Sequence, residues 1–367
     1  MSAVNRIVLA SIAGLIASAG AQAAEKAEIA TAPPAAKAAP PPPPPAPMGV
    51  FGADMPAKGK LVFSVTPNFA NLSGIKMGTR TVSNEFILAT VPFFVNPAQN
   101  VRIVPQNIAV ATQVVGLAYG VTKDFAVVLQ AGMIEKNLDA FAWRAGPGIV
   151  PLGWSFPGTT SLVDTALSGV YRVYQDDIHR IQVSLGFSFP TGSNRAIFTN
   201  FLLPTGVRSN IRGFYGMQPG TGTFDIMPGI VYAGHLGPWS WGLSYRGRLP
   251  LGANQQGYLW GDLHEFNGWA GYTWIPGLTT TARVNGSTQG AIRGVDPEIR
   301  GPAVPANPLF YGGQRVELFG GATISGKFVG FENATLAVEA GAPVYQNLNG
   351  PQIMKNWQAG MSLRIKI

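Results

Sequence analysis

Residues 161–190 read SLVDTALSGVYRVYQDDIHRIQVSLGFSFP, two stretches of strict alternation separated by the polar turn Gln175–Asp177. In each stretch one set of alternate positions holds the polar and charged residues, from Asp164 to Arg172 and from Arg180 to Ser188. The positions between them are mainly apolar or aromatic. A period of two places successive side chains on opposite faces of a strand. Each stretch has the roughly 9–11 residues that a tilted strand needs to cross a bilayer. The sequence therefore predicts a transmembrane antiparallel β-barrel with an apolar outer face and a polar lumen.

The composition agrees with a barrel and excludes several other classes of protein. Of the 367 residues only 12% are charged and 46% are hydrophobic, with 46 Gly and 30 Pro, and the mature chain has no run of about 18 apolar residues for a spanning helix. The absence of cysteine excludes disulfides, thiol catalysis and cysteine metal sites. The net charge of +8 comes from scattered Lys and Arg. This pattern indicates a cationic interior or contact with anionic lipid, and not nucleic-acid binding.

The first 57 residues are predicted to lie outside the barrel. Residues 1–23 have the pattern of a secretory signal peptide, with Arg6, an apolar core over Ile7–Ile16 and the small-x-small site Ala21–Ala23. Residues 24–57 are rich in Ala and Pro, with six consecutive prolines at 40–45, and predict a disordered periplasmic arm with polyproline II character. Two interpretations remain: an arm that contacts peptidoglycan or a partner, and a plain disordered leader. The barrel is assigned to residues 58–367.

The strand count follows from the lengths of the connections. Short joints alternate with long segments rich in Gly, Pro and Asn, and bacterial barrels place short turns in the periplasm and long loops outside. The short joints are Thr122–Asp124, Gln175–Ile178, His235–Pro238, Ile275–Gly277 and Phe328–Asn333; the long segments are Asn137–Thr160, Thr191–Thr223, Gly252–Leu263, Gly286–Gln314 and Pro343–Asn356. With a first strand near 60–69 and a closing strand at Trp357–Ile367, the prediction is twelve strands. Fourteen is the alternative, if Phe86–Val91 belongs to a further strand pair; this region is otherwise expected to fold into the lumen.

The last eleven residues alternate to the end of the chain, with Trp357, Met361 and Leu363 on the apolar face. This resembles the C-terminal signal by which the barrel-assembly machinery recognises its clients. Ile367 stands where that signal usually has an aromatic residue.

Extending the alternation gives eleven charged residues predicted to line the lumen. An Arg or Lys facing lipid near the midplane would cost about 2–4 kcal/mol, so the polar face must be the inner one. Such residues either select the solutes that pass or pair with one another and brace the wall. They are Asp164, Arg172, Arg180, Arg246, Arg248, Glu265, Arg283, Arg315, Glu317, Glu339 and Arg364.

Aromatic residues on the opposite face predict a girdle at the lipid head groups; a stacking platform for sugars or bases is the alternative. They are Tyr171, Tyr232, Trp239, Trp241, Tyr245, Tyr272, Trp274 and Trp357. The three histidines, His179, His235 and His264, show no metal-ligand spacing and no nucleophile motif accompanies them. The sequence therefore predicts no enzyme, no catalytic or metal site and no cofactor.

Four passages resemble the outer-membrane transporter family labelled "MetA-pathway of phenol degradation". The passages are Tyr119–Phe125, Phe189–Ser193, Pro219–Gly229 and Pro343–Gln352. The resemblance covers about 119–367 and implies an outer-membrane barrel for uptake of small hydrophobic or aromatic compounds.

The resulting prediction is a passive channel or transporter for small molecules in the outer membrane of a Gram-negative bacterium. Its expected partners are outer-membrane lipid, the barrel-assembly machinery, a small-molecule solute and, through the Pro-rich arm, peptidoglycan. The lumen is expected to be narrowed by charged pairs and by an inward-folded segment, either 70–107 or Thr191–Thr223. A closed barrel that anchors the envelope and an outer-membrane hydrolase are the alternatives.

Overall fold

The computed structural model describes residues 43–367, which are almost entirely β-structure. In chain order the elements are β1 (Leu61–Gly78), β2 (Arg80–Val82), α1 (Asn84–Thr90), β3 (Ile103–Gly120), β4 (Phe125–Trp143), β5 (Pro151–Ser155), β6 (Gly158–Leu162), β7 (Thr165–Gln175), β8 (His179–Phe189), β9 (Ile197–Leu202), β10 (Arg208–Arg212), β11 (Asp225–Leu236), β12 (Trp239–Pro250), β13 (Tyr258–Leu259), β14 (Leu263–Ile275), β15 (Leu278–Gln289), β16 (Arg293–Gly294), β17 (Gly313–Ser325) and β18 (Ala334–Lys366). Short 3₁₀ turns lie at Tyr215–Met217, Val304–Ala306, Pro308–Phe310 and Gly326–Val329. The signal peptide and residues 24–42 of the predicted arm lie outside the described residues.

Eleven strands form a closed antiparallel barrel. The order is β1, β3, β4, β7, β8, β11, β12, β14, β15, β17 and β18, and β18 pairs back with β1 to complete the ring. Three further strands, β2, β5 and β6, attach to β1 and β4. Closure removes the free sheet edges, so every wall strand has a partner on both sides. Among residues 43–367, no helix is long and apolar enough to span a bilayer.

The last strand, β18, is 33 residues long and folds back on itself. The backbone N–H of Lys366 donates to the carbonyl oxygen of Asn333 at 2.9 Å, and the backbone N–H of Lys355 donates to Oε1 of Gln346 at 3.1 Å. An extended chain would hold each of these pairs tens of ångströms apart. The reversal falls near Gly350, whose φ of +118° is a conformation that favours glycine. One arm of β18 pairs with β17 and the other with β1.

The two ends of the barrel differ as the connection lengths predicted. Short turns at 121–124, 176–178, 237–238, 276–277 and 326–333 all lie at one end, which we call the short-turn end. The turn at 176–178 is held by Asp176, whose Oδ1 accepts from the backbone N–H groups of Ile178 at 2.8 Å and His179 at 2.6 Å. The opposite, long-loop end carries β9, β10, β13 and β16 within its connections.

Two predicted elements differ from the structure. Phe86–Val91 is not a strand: it belongs to α1, whose N-cap Ser83 accepts from the backbone N–H of Phe86. A short apolar run has no periodicity that separates helix from strand, and here the cap decides. The segment Pro343–Asn356 is not a long loop but part of β18. Its Pro343 is accommodated by a β-bulge, because Glu317 pairs with Pro343 while the preceding Val316 pairs with Tyr345.

Candidate functional site: the barrel lumen

The two faces of the wall separate by burial as the alternation predicts. In β7 and β8 the predicted inner residues Ser168 and Gln182 are 3% and 2% exposed, whereas Leu167 and Leu185 on the other face are 43% and 49% exposed. A continuous band of exposed apolar side chains on a closed sheet is a surface for lipid.

The eleven predicted lumen residues are all buried or half-buried. Most are tied into ion pairs, and these pairs frequently join strands that are not neighbours. As the lining of a transport path they remain a proposal.

The most buried pair joins Arg283 of β15 to Glu339 of β18. The guanidinium donates two hydrogen bonds to the carboxylate, at 2.9 and 2.7 Å, and both side chains are at least 94% buried. Arg283 also donates to Oδ1 of Asn267 at 2.6 Å and covers the ring of Phe319. Since β17 lies between β15 and β18, this pair braces the wall across a strand.

A second cluster lies toward the long-loop end around Arg248. Its guanidinium donates to Asp225 of β11 and to Asp164, which precedes β7, the latter at 3.2 Å. Asp164 also accepts from the backbone N–H groups of Gly192 and Thr221 at 3.1 and 2.9 Å. Since Gly192 and Thr221 lie near the two ends of the long connection between β8 and β11, the cluster ties both ends of this connection to the wall.

The remaining predicted residues are spread along the lumen. Arg172 lies 3.8 Å from Asp124 at the short-turn end. Glu317 forms an ion pair with Lys355 at 2.8 Å, and Arg315 lies two residues before Glu317 on the same strand face, with its Nε buried. Arg180 and Arg364 both contact a residue of the N-terminal segment described next.

Residues 44–57, predicted to be part of a disordered arm, lie inside the barrel. We call this segment the plug. Its side chains and backbone contact residues of seven wall strands: Val170 (β7), Gln182 (β8), Val231 (β11), Arg246 (β12), Trp269 (β14), Arg283 (β15) and Glu339 (β18). A segment on the outside of a barrel touches only adjacent strands, so contacts around the whole ring place the plug in the lumen.

Specific polar contacts hold the plug. Asp54 accepts from Arg180 and from Arg364, each at 3.2 Å. The Gln182 side-chain amide faces the carbonyl oxygens of Gly52 and Ala53 at 2.8 and 2.9 Å, the geometry of two donated hydrogen bonds. The Gln182 amide is buried, so its two hydrogen bonds are shielded from water, whereas the two ion pairs of Asp54 are partly screened by solvent.

Apolar contacts complete the docking of the plug. Phe51 lies under the guanidinium of Arg246, whose carbon is 4.3 Å from the ring centroid. Ala46, Val50 and Ala53 are 5%, 6% and 1% exposed and pack with inward-facing Trp269. The difference from the prediction has a physical cause, because the barrel interior supplies the partners that an Ala/Pro segment lacks on its own.

On the long-loop side of the plug the lumen contains a cavity of about 170 Å³. We call it the lumen cavity. Its polar lining includes Arg246, Glu265, Arg283, Glu317 and Lys355, and its plug-side wall is formed by Gly49 and Phe51.

The long-loop end is covered by an apolar cluster, the loop-end core. Loop residues Phe198, Phe201, Phe214 and Tyr215, each at most 1% exposed, pack against wall residues of β3 and β4 such as Leu138. A neighbouring cluster includes Ile87 and Leu88 of α1. Of the two segments proposed from the sequence, Thr191–Thr223 packs over this end, whereas 70–107 does so only between β1 and β3, because its two ends are wall strand. Burial raises the pKa of Tyr215 to about 12, so its hydroxyl stays neutral at physiological pH.

The predicted aromatic girdle lies on the outer face. Trp239, Trp274 and Tyr171 are 56%, 63% and 52% exposed at the short-turn end. Two histidines share this face: Nδ1 of His179 is 2.9 Å from the Tyr232 hydroxyl, and Nδ1 of His264 is 2.9 Å from the Tyr245 hydroxyl.

Several lumen residues were missed by sequence reasoning. Asp54 was assigned to the arm, and Lys355 to a loop that is strand. Asp225, fully buried beside Arg248, starts a strand after a glycine-rich segment that obscures the alternation. Lys136 donates to the carbonyl oxygens of Gly216 and Gln218 at 2.9 and 2.7 Å. It lies two residues before Leu138 on β4 and therefore on the same face of the strand, and this spacing could have identified it from the sequence.

No protein-family model and no curated protein matches the chain, so the family resemblance drawn from the four passages has no further support. Among solved structures the chain is similar to an outer membrane channel from Pseudomonas putida F1, with a TM-score of 0.55 and 11% identity over 86% of this chain and 98% of that one. The chain has the fold of an outer-membrane channel.

Two weaker likenesses are to the toluene transporter TodX of P. putida and to the translocator domain of the autotransporter NalP from Neisseria meningitidis. Their TM-scores are 0.42 and 0.44, at 8% and 9% identity, covering 84% and 85% of this chain and 90% of each of those chains. With TM-scores below 0.5 they carry no argument about function.

Proposed function

We propose that the protein is an outer-membrane channel for the passive passage of small molecules, closed in this structure by its own N-terminal segment. The observation that carries the proposal is the closed wall with an apolar exposed outer face and an ionic inner face. Passive uptake needs only such a lumen and a route through it.

The two arms of β18 are best counted as separate wall strands. Each arm pairs with a different neighbour, and a hydrogen bond from the backbone N–H of Lys366 to the carbonyl oxygen of Asn333 holds their ends together. With this count the proposed barrel has twelve strands, which is even, and both ends of the wall lie at the short-turn end. By the rule for bacterial barrels that end is periplasmic.

The plug supports a gated channel, and it also favours a second candidate, a closed structural barrel. Both begin from the same observation, that residues 44–57 fill the periplasmic part of the lumen. In the gated channel the plug leaves; in the structural barrel it is permanent. Contact of the upstream Pro-rich segment with peptidoglycan, and insertion by the barrel-assembly machinery, remain proposals within either model.

The solute class implied by the family resemblance, small aromatic or hydrophobic compounds, is part of the proposal. The aromatic residues of the loop-end core are buried, so they would contact such a solute only when this core opens. The lumen cavity, in contrast, is polar and charged. The outer-membrane hydrolase stays an untested alternative, and no observation favours it; Nδ1 of His179 and of His264 each lies 2.9 Å from a tyrosine hydroxyl on the outer face.

The deciding experiment is conductance in a planar bilayer. It compares the mature chain, the chain without residues 44–57, and that deletion combined with Phe214→Ala, which loosens the loop-end core. Heat-modifiable migration shows that each barrel is folded. We expect conductance to rise in this order. Conductance of the mature chain supports the gated channel. A mature chain that stays silent while the deletion variants conduct favours the structural barrel with a permanent plug, and silence of all three folded barrels overturns the channel.

A further inference from the structure

The lumen cavity contains two charged side chains that are not paired. Arg246 on β12 and Glu265 on β14 are direct partners in the strand register, and both line the cavity. Residues in this relation have Cβ atoms about 4.5–5.5 Å apart, close enough for a salt bridge. Among residues 43–367, however, neither charge has an oppositely charged atom within 4.0 Å, although the two charges interact electrostatically at a longer distance.

Each of the other charged side chains that line the cavity has an oppositely charged partner. Lys355 and Glu317 form an ion pair at 2.8 Å. Arg283 is held by two hydrogen bonds to Glu339 and a third to Asn267. What the cavity offers a solute is therefore one guanidinium and one carboxylate on the same wall.

We propose that the lumen cavity binds a small zwitterion of the α-amino-acid type, with its carboxylate on Arg246 and its ammonium on Glu265. A simple anion would leave Glu265 unpaired beside a second negative charge, and a simple cation would do the same to Arg246. A zwitterion satisfies both, and charge-assisted hydrogen bonds are the strong ones in such a site. The inference rests on the proposed channel function, because the site lies on the path through the lumen.

The size of the cavity limits the solute. A volume of about 170 Å³ corresponds to roughly six liquid waters at about 30 Å³ each. This is room for a compact amino acid such as alanine.

The test is binding of three matched probes to the full mature chain in detergent, measured by saturation-transfer NMR. Alanine carries both charges, propionate only the carboxylate and ethylamine only the ammonium. Because a hydrogen bond to a charged group changes affinity by about tenfold or more, we expect alanine to bind at least about ten times more tightly than either analogue. Equal binding of the three probes, or no alanine binding by a folded barrel, overturns the site.

Two variants assign the contacts. Arg246→Gln should remove the preference for alanine over ethylamine, and Arg246→Lys should restore part of it. Glu265→Gln should remove the preference for alanine over propionate. Arg293→Gln is the matched control, since this arginine pairs with Asp262 at the exposed long-loop end. If Arg246→Gln behaves like the control, the assignment is wrong.

Failure of the site and failure of the channel are distinguishable. Binding requires only that one end of the lumen opens transiently and not that both are open at once, so alanine binding by a barrel that never conducts keeps the site and overturns the channel. Conductance without alanine binding does the reverse.

Discussion

Asp54→Asn should release the plug. Asp54 is the one plug residue that accepts from two arginines on opposite parts of the wall, Arg180 of β8 and Arg364 of β18, each at 3.2 Å. Asparagine keeps the size of the side chain and removes its charge. The substitution therefore weakens the docking of the plug without creating a void.

The size of the expected effect depends on how far the two ion pairs of Asp54 are exposed to solvent. Asp54 is 39% exposed, so each pair is given the value of a solvent-screened ion pair, about 0.2–1 kcal/mol. Two pairs give about 0.4–2 kcal/mol, and with about 1.4 kcal/mol per tenfold this raises the undocked fraction by about 2–30-fold.

Thiol labelling measures this fraction directly, because the chain has no cysteine. Ala53 is 1% exposed in the docked plug, so Ala53→Cys reacts with a soluble reagent only when the plug is undocked. If docking is fast, the labelling rate tracks the undocked population. Asp54→Asn should raise the rate by the factor above, while Asp262→Asn, in an exposed pair, should not. If Asp54→Asn leaves the labelling rate unchanged, the two ion pairs of Asp54 do not hold the plug. If the protein that carries only Ala53→Cys is labelled rapidly, the plug is not docked in the lumen.

Three further predictions concern the plug and the two clusters. Gly49→Ala points a Cβ at the guanidinium of Arg283 and should speed the same thiol labelling, whereas Gly320→Ala, with open space around it, should not. Arg283→Met should lower the free energy of unfolding by about 3–5 kcal/mol in urea titrations in vesicles, because Glu339 is left buried and unpaired; adding Glu339→Gln should recover most of the loss, and a double variant as unstable as the single contradicts this. Phe214→Ala, which removes a ring 1% exposed, should cost the loop-end core about 3–5 kcal/mol and speed limited proteolysis of the long loops with the barrel intact; unchanged proteolysis would contradict its packing role.

The sequence predicted the wall well because alternation is a local signal. The pattern from Asp164 to Ser188 depends only on which face each residue occupies, and burial in the structure follows it residue by residue. Short turns such as 176–178 are equally local, since Asp176 bonds to residues two and three positions later.

The plug could not be predicted, because its stability is entirely non-local. Asp54 accepts hydrogen bonds from residues 126 and 310 positions away in the sequence. The composition of an Ala/Pro segment contains no information about partners at such distances. The helix α1 and the strand continuation through Pro343 were missed for a related reason: a cap and a bulge, not composition, decide them.

The lumen has two closures in series, and this governs how variants combine. The plug fills the short-turn end and the loop-end core covers the other, with the lumen cavity between them. If the two open independently, a continuous path exists only for the product of their open fractions, so their free energies of closing add. Loosening one end alone therefore raises conductance by no more than its own factor, while the other end continues to limit it. The pair Arg283–Glu339 joins wall strands on either side of β17, and the plug packs against it at Gly49. Ion pairs within the wall of this kind maintain the width of the lumen when both ends are open.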